Sequence, residues 1–117
     1  EINSMEYPEI QDVVLDIVQS AEGRFLLPYQ IYKEIQRTNP ELAQRLEQAY
    51  PVTPGNPIMG RNAGIYYSPA SFIAHALDYY LQHGENIRKE WINPRDVFID
   101  EIKAGNEKAL SIWASRP

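Results

Sequence analysis

Apolar residues at Ile10, Val13, Val14, Ile17 and Val18 recur at the i, i+3, i+4, i+7, i+8 spacing of one helix face. Asp12, Asp16 and Gln19 fall off that face. Pro8 stands at a first-turn position, where its missing N–H costs nothing, and Gly23 is placed to end the element in a left-handed conformation. The pattern therefore predicts a helix over 8–22. Phe25, Leu26 and Leu27 form a short apolar bridge, either a three-residue strand or buried coil. Pro28 opens a second helix with Ile31 and Ile35 inward, Tyr29 and Tyr32 on its flanks, and Lys33 and Arg37 as an i, i+4 basic pair outside. Asn39-Pro40-Glu41 then restarts the helical pattern: Asn caps, Pro takes the first position, and Glu favours the positive end of the dipole. Leu42, Ala43, Leu46 and Ala49 line its inner face and Pro51 stops it. The tight turn between the second and third helices has the spacing of a helix-turn-helix.

From 51 to 67 the pattern breaks. Pro51, Pro54 and Pro57 alternate with Gly55, Gly60 and Gly64, which excludes a continuous helix or strand and predicts a long loop. Ser68-Pro69 repeats the capping logic. A wide apolar stripe follows (Phe72, Ile73, Ala76, Leu77, Tyr80, Leu81), closed by Gly84, and predicts a central helix over 69–83. Residues 87–92, with Trp91 as a large anchor, suit a short edge strand. Asn93-Pro94-Arg95-Asp96 is a third capped restart. It predicts a helix over 94–104 that buries Phe98, Ile99 and Ile102, with Leu110 and Trp113 continuing at helical spacing. A hairpin competes with it, because 97–102 and 109–113 are rich in β-formers and flank Gly105-Asn106. The Asn-Pro cap favours the helix. The expected fold is mainly α: one compact multi-helix domain over 1–117, frayed over 1–7, with a winged-helix-like order of elements and at most a small β-hairpin, which would be the wing.

That order (helix 8–22, bridge 25–27, helices 28–37 and 40–50, a Pro/Gly loop, helix 69–83) resembles small bacterial proteins with a helix-turn-helix or winged-helix-like core. The resemblance covers most of the chain and brings no defined functional residues with it. One departure matters. A DNA-reading helix presents Arg, Lys, Asn or Gln outward. Helix 69–83 offers Ser71, His75, Asp78 and Gln82, with no basic residue, and helix 40–50 offers Gln44, Arg45 and Gln48.

Composition narrows the chemistry. The chain has 117 residues, no cysteine and a net charge of −5. Disulfides, thiolate metal sites and cysteine nucleophiles are excluded. The acidic balance disfavours general affinity for DNA or anionic lipid. No apolar run reaches the roughly 18–20 residues of a membrane span. The acidic start lacks the n-region and h-region of a signal peptide, so a cytoplasmic location is the expectation. Charge is uneven: Glu1, Glu6, Glu9, Asp12, Asp16 and Glu22 precede the first base, whereas Arg24, Lys33, Arg37, Arg45 and Arg61 dominate the next stretch.

Candidate chemistry is sparse. Met59-Gly60-Arg61-Asn62-Ala63-Gly64 resembles an anion cradle, but it matches the spacing of no phosphate-binding loop and stands four residues before Ser68. His75 and His83 are about 12 Å apart along one helix, too far to share a metal. Asp12 and Asp16 read as a solvated acidic face. Ser68, Ser71 and Ser111 have no G-x-S-x-G context. No nucleophile–base pair, metal cluster or cofactor motif is present, so neither a cofactor nor an enzyme is expected. Tyrosines are abundant in mid-chain, ordinarily as rings at a core edge with their hydroxyls in water. The adjacent Tyr66 and Tyr67 cannot easily both point inward. The expectation is a binding or regulatory module that recognises a protein partner or a second copy through Arg61, Tyr66 and Tyr67. The alternative is a winged-helix-like nucleic-acid-binding regulator using Lys33, Arg37, Arg45 and Arg61.

Overall fold

The structure is a computed structural model and describes residues 5–51, 68–93 and 110–117. A 3₁₀ turn, Tyr7–Ile10, leads into α1, Gln11–Ser20. Its start is tight because the Glu9 carboxylate reaches back to accept from the Glu6 N–H at 2.7 Å. Glu22 and Gly23 take positive φ, 56° and 87°, and end the element near the expected glycine. The fraying expected over 1–7 falls partly outside the described residues. From Met5 onward the chain is held: Met5 is buried, and its backbone N–H donates to the Tyr50 hydroxyl at 2.9 Å.

The next helices follow the sequence pattern closely. α2 spans Pro28–Thr38 and α3 spans Pro40–Ala49. The Asn39 side chain accepts from the Leu42 N–H at 3.3 Å, the predicted cap. α4 spans Pro69–Gln82, with the Ser68 hydroxyl accepting from the Ser71 N–H at 3.1 Å. Gly84, at φ 90°, turns the chain out of it. The main core lies between these helices. Val14 and Val18 of α1, Ile31 and Ile35 of α2, Leu46 of α3, and Ile73, Leu77 and Tyr80 of α4 are all fully buried. Each such apolar side chain contributes roughly 1.5–3 kcal/mol by leaving water.

The C-terminal part corrects one expectation. Leu110 and Trp113 do not continue a helix. They belong to β2, Leu110–Ser115, which pairs antiparallel with β1, Ile87–Ile92, in the register Ile87↔Ser115 to Ile92↔Leu110. The spacing of two large apolar residues three apart serves a helix or a strand alike, and backbone pairing decides. β2 is satisfied on both sides: β1 takes one edge, and on the other Trp113 and Leu26 exchange two N–H···O bonds of 2.8 Å each. The 25–27 bridge is thus a single ladder position at Leu26. The hairpin alternative placed its first strand at 97–102, whereas the strand that pairs is Ile87–Ile92. Both 97–102 and the predicted helix 94–104 lie outside the described residues, as does loop 52–67. The result is a mainly helical domain with a small antiparallel sheet. Among the described residues, no helix is long and apolar enough to cross a membrane.

Candidate interaction surface

The tyrosines of α2 are the first place where packing departs from the sequence pattern. Tyr29 and Tyr32 were expected on the flanks but are only 7% and 6% exposed. Tyr32 is drawn in because its hydroxyl donates to the Glu47 carboxylate of α3, a contact that the Gln36 amide joins by donating to the Tyr32 oxygen at 3.2 Å. Burial, then the Glu47 hydrogen bond and charge, push the Tyr32 phenol well above the ordinary tyrosine range. Lys33 sits over the Tyr29 ring, 5.8 Å from its centroid.

These groups line an open cleft of about 310 Å³. Tyr29, Tyr32, Lys33 and Gln36 form its α2 wall and Glu47 stands opposite. Pro51, and Pro69 and Ala70 at the start of α4, complete the lining. The chain therefore leaves the described structure at Pro51 and returns at Ser68-Pro69 beside the same cleft. A second, smaller buried cluster joins this region to the sheet: Leu27, Tyr29, Ala70 and Leu110 pack together, with Ile92 and Ile112 against them.

Trp91 lies one residue from Ile92 on the opposite face of β1. It is 61% exposed, the exposed large hydrophobic side chain among the described residues. Its register partner is Ser111, and on the same face Lys89 lies opposite Trp113. Lys89 is fixed between rings and acid, with its ammonium 4.4 Å from the Trp91 centroid, 5.3 Å from that of Trp113, and 2.9 Å from the Asp78 carboxylate of α4. The indole is thereby held out on a braced strand. Such a ring offers large contact area with little entropy left to lose.

The other sequence candidates are scattered. Arg61, Tyr66 and Tyr67 lie outside the described residues. Lys33 is in the cleft. Arg37 is bound to Glu34 through its Nη2, and its Nε donates to the same carboxylate at 3.1 Å. Arg45 pairs with Glu9 at 3.1 Å. Two residues along a helix is about 200° of rotation, so Arg45 faces away from the cleft that Glu47 lines. The Glu6 N–H and then Arg45 hold the Glu9 carboxyl below its ordinary range, and Arg37 does the same to Glu34. Asp12 and Asp16 are exposed, as is His75. His83 stacks on Tyr79 with ring centroids 4.0 Å apart. Among the described residues, no group of three or more His, Asp or Glu side chains is arranged to hold a metal ion.

The tyrosine hydroxyls were also misplaced by sequence reasoning. Tyr50 donates to the Met5 carbonyl at 3.2 Å, and Tyr80 donates to the Tyr7 carbonyl. Both close contacts between residues far apart in the chain, for which local spacing carries no signal. The exposure of Trp91 was equally hidden, because a strand places alternate residues on opposite faces without saying which face is covered. Comparison of the chain with protein families, with curated protein sequences and with solved structures finds no match in any of the three.

Proposed function

We propose that the chain is a non-catalytic binding module that recognises a protein partner or a second copy of itself, with Trp91 as the anchor. The observation that carries this reading is the 61% exposed indole, braced by Lys89 on a paired strand. An exposed tryptophan is costly to leave in water and gains most when a partner covers it. The cleft lined by Tyr29 and Tyr32 is a second candidate contact area, on the side of β1 where Ile92 packs. Arg61, Tyr66 and Tyr67 belong to the segment that begins and ends at that cleft, and they remain part of the proposed surface.

The test combines oligomeric state with partner capture for the wild type, Trp91→Ala, and the double variant Tyr66→Ala, Tyr67→Ala. A concentration-dependent dimer, or a specific partner, that is lost with Trp91→Ala supports the reading. A wild type that stays monomeric and whose captured proteins are unchanged in both variants ends it.

A second reading, a winged-helix-like nucleic-acid-binding regulator, is favoured by one observation: Leu26 bridges β2, and β2 pairs β1. Helix, short strand, helices and hairpin thus follow one another in that order. Against it, Arg37 and Arg45 are already neutralised by Glu34 and Glu9. It requires a low-salt mobility shift with mixed DNA or RNA that disappears when Lys33, Arg37, Arg45 and Arg61 are changed to Glu.

A further inference from the structure

Apart from Lys33, the cationic side chains of the described residues divide into two groups. Arg37, Arg45 and Lys89 are ion-paired with acids. Among the described residues, Arg24, Arg88 and Arg116 have no carboxylate partner, and Arg88 and Arg116 meet at one end of the sheet. The register explains how. Arg88 lies opposite Ala114, and Arg116, one residue past the end of β2, continues the pairing by donating its backbone N–H to the Asn86 carbonyl at 3.1 Å, which makes it the diagonal neighbour of Arg88. Diagonal positions lie roughly 7–8 Å apart, within the span of two guanidinium groups converging on one ligand. The Arg88 guanidinium rests 4.7 Å from the Phe25 ring centroid, a contact that uses none of its N–H donors. Arg116 is fixed through Nε, which donates to the Ile87 carbonyl at 3.0 Å, so its two terminal nitrogens remain available. Both arginines line one open cleft of about 390 Å³, together with Ser115, Pro117 and the turn at Glu22 and Gly23. Arg24 follows that turn directly.

We infer that this cleft is an oxyanion site for the phosphoryl group of a small phosphomonoester, held between Arg88 and Arg116. The chemistry fits in three ways. Guanidinium forks match the oxygen geometry of phosphate and bind it bidentately. Arg88 and Arg116 against Glu22 leave the lining side chains with an excess of positive charge, which suits an oxyanion such as a phosphoryl group. The site is also short. Glu22 stands in the cleft, and Glu90 shares the Arg88 face two residues along β1, so acids bound the basic patch on two sides. A long polyanion would have to run past both acids, whereas a single phosphoryl group meets Glu22 alone. The site lies at the end of the sheet away from the 93–109 connection, and it is independent of the Trp91 surface.

The experiment is a calorimetric titration of the full chain with inorganic phosphate and with phenyl phosphate. Arg88→Ala, Arg116→Ala, Arg88→Lys, Glu22→Gln and the control Arg37→Ala are compared, with circular dichroism confirming that each is folded. Saturable binding of phenyl phosphate is expected, weakened about tenfold or more by either alanine change, as for loss of one charged hydrogen-bonding partner. Arg88→Lys should restore only part of the affinity, Glu22→Gln should tighten binding, and Arg37→Ala should leave it unchanged. If phosphate binds but phenyl phosphate does not, the ligand is free phosphate at the same site, and the phosphomonoester assignment is overturned. Absence of saturable binding in the wild type, or equal weakening by Arg37→Ala, overturns the site itself. Tight, steeply salt-dependent binding of an oligonucleotide lost with the same arginine changes would make the site a polyanion track instead. Should Arg88→Ala fail to fold, Arg116→Ala and Glu22→Gln decide the matter through their opposite signs.

Discussion

Tyr80 carries a polar group into the centre of the molecule, and its hydroxyl spans the gap between α4 and the N-terminal turn by donating to the Tyr7 carbonyl. Burial is the main cause that pushes this phenol above the ordinary tyrosine range, with the Asp12 charge second. Tyr32 is shifted in the same direction by burial and Glu47. The sign of the consequence follows. A folded-state value raised above the unfolded one, about 10 for tyrosine, means that the fold favours the neutral form. That contribution is whole below pH about 10 and is lost as pH rises from there through the folded-state values. Denaturant midpoints should therefore fall on the alkaline side, and the double variant Tyr32→Phe, Tyr80→Phe should show a flatter alkaline limb. An unchanged slope would mean that the two hydroxyls are not held as described. At neutral pH, Tyr80→Phe alone should cost about 1–2 kcal/mol, because it leaves the Tyr7 carbonyl without its donor.

At the scale of elements, the helices are set by short local signals. The Asn39 and Ser68 side chains each occupy one orphan N–H of the helix they open. Asn39→Ala should cost about 1 kcal/mol in chemical denaturation. Ser68→Ala should lie towards the upper end, about 2 kcal/mol, because Ser68 is fully buried and water cannot replace its oxygen. The sheet depends on distant partners. Trp113 is fully buried and bonds through its backbone to Leu26. Trp113→Ala should cost about 3–5 kcal/mol from lost burial together with the cavity left behind, measurable as a lowered denaturant midpoint at constant slope. A loss below about 1 kcal/mol would contradict its central place in the core. This contrast explains what could be read in advance. Asn39-Pro40 and Ser68-Pro69 act within one turn, so their helices were legible. Leu110 and Trp113 carry a spacing common to both helix and strand, and only Leu26 and β1 resolve it.

For the whole molecule, the distribution of charge and exposed ring matters more than the totals. The net charge of −5 disfavours general polyanion binding, yet among the described residues the arginines without acid partners lie beside Gly23 rather than along α2 or α3. The sequence pattern points to Lys33, Arg37, Arg45 and Arg61, which fall in one stretch of the chain. The fold sets Glu34 and Glu9 against two of them and joins Arg88 to Arg116 across a sheet. Trp91 shows the same dependence on packing. Trp91→Ala should change stability by less than about 1 kcal/mol, since the ring is mostly solvated and its contact with Lys89 is an exposed cation–π pair. Its effect should appear in association, read as a change in sedimentation or in partner capture. A large stability loss with intact association would reassign the indole to structure.

By itself the sequence determined the helices, their caps and the absence of cysteine chemistry, because hydrophobic period, proline and glycine act over a few residues. Only the tertiary structure decided that Leu110–Ser115 is a strand, that Tyr50 and Tyr80 bond the N-terminal backbone, and which cations remain without an acid partner. Each of these depends on groups brought together from distant parts of the chain, and the free energy of such contacts is set by burial and pairing that no local spacing encodes.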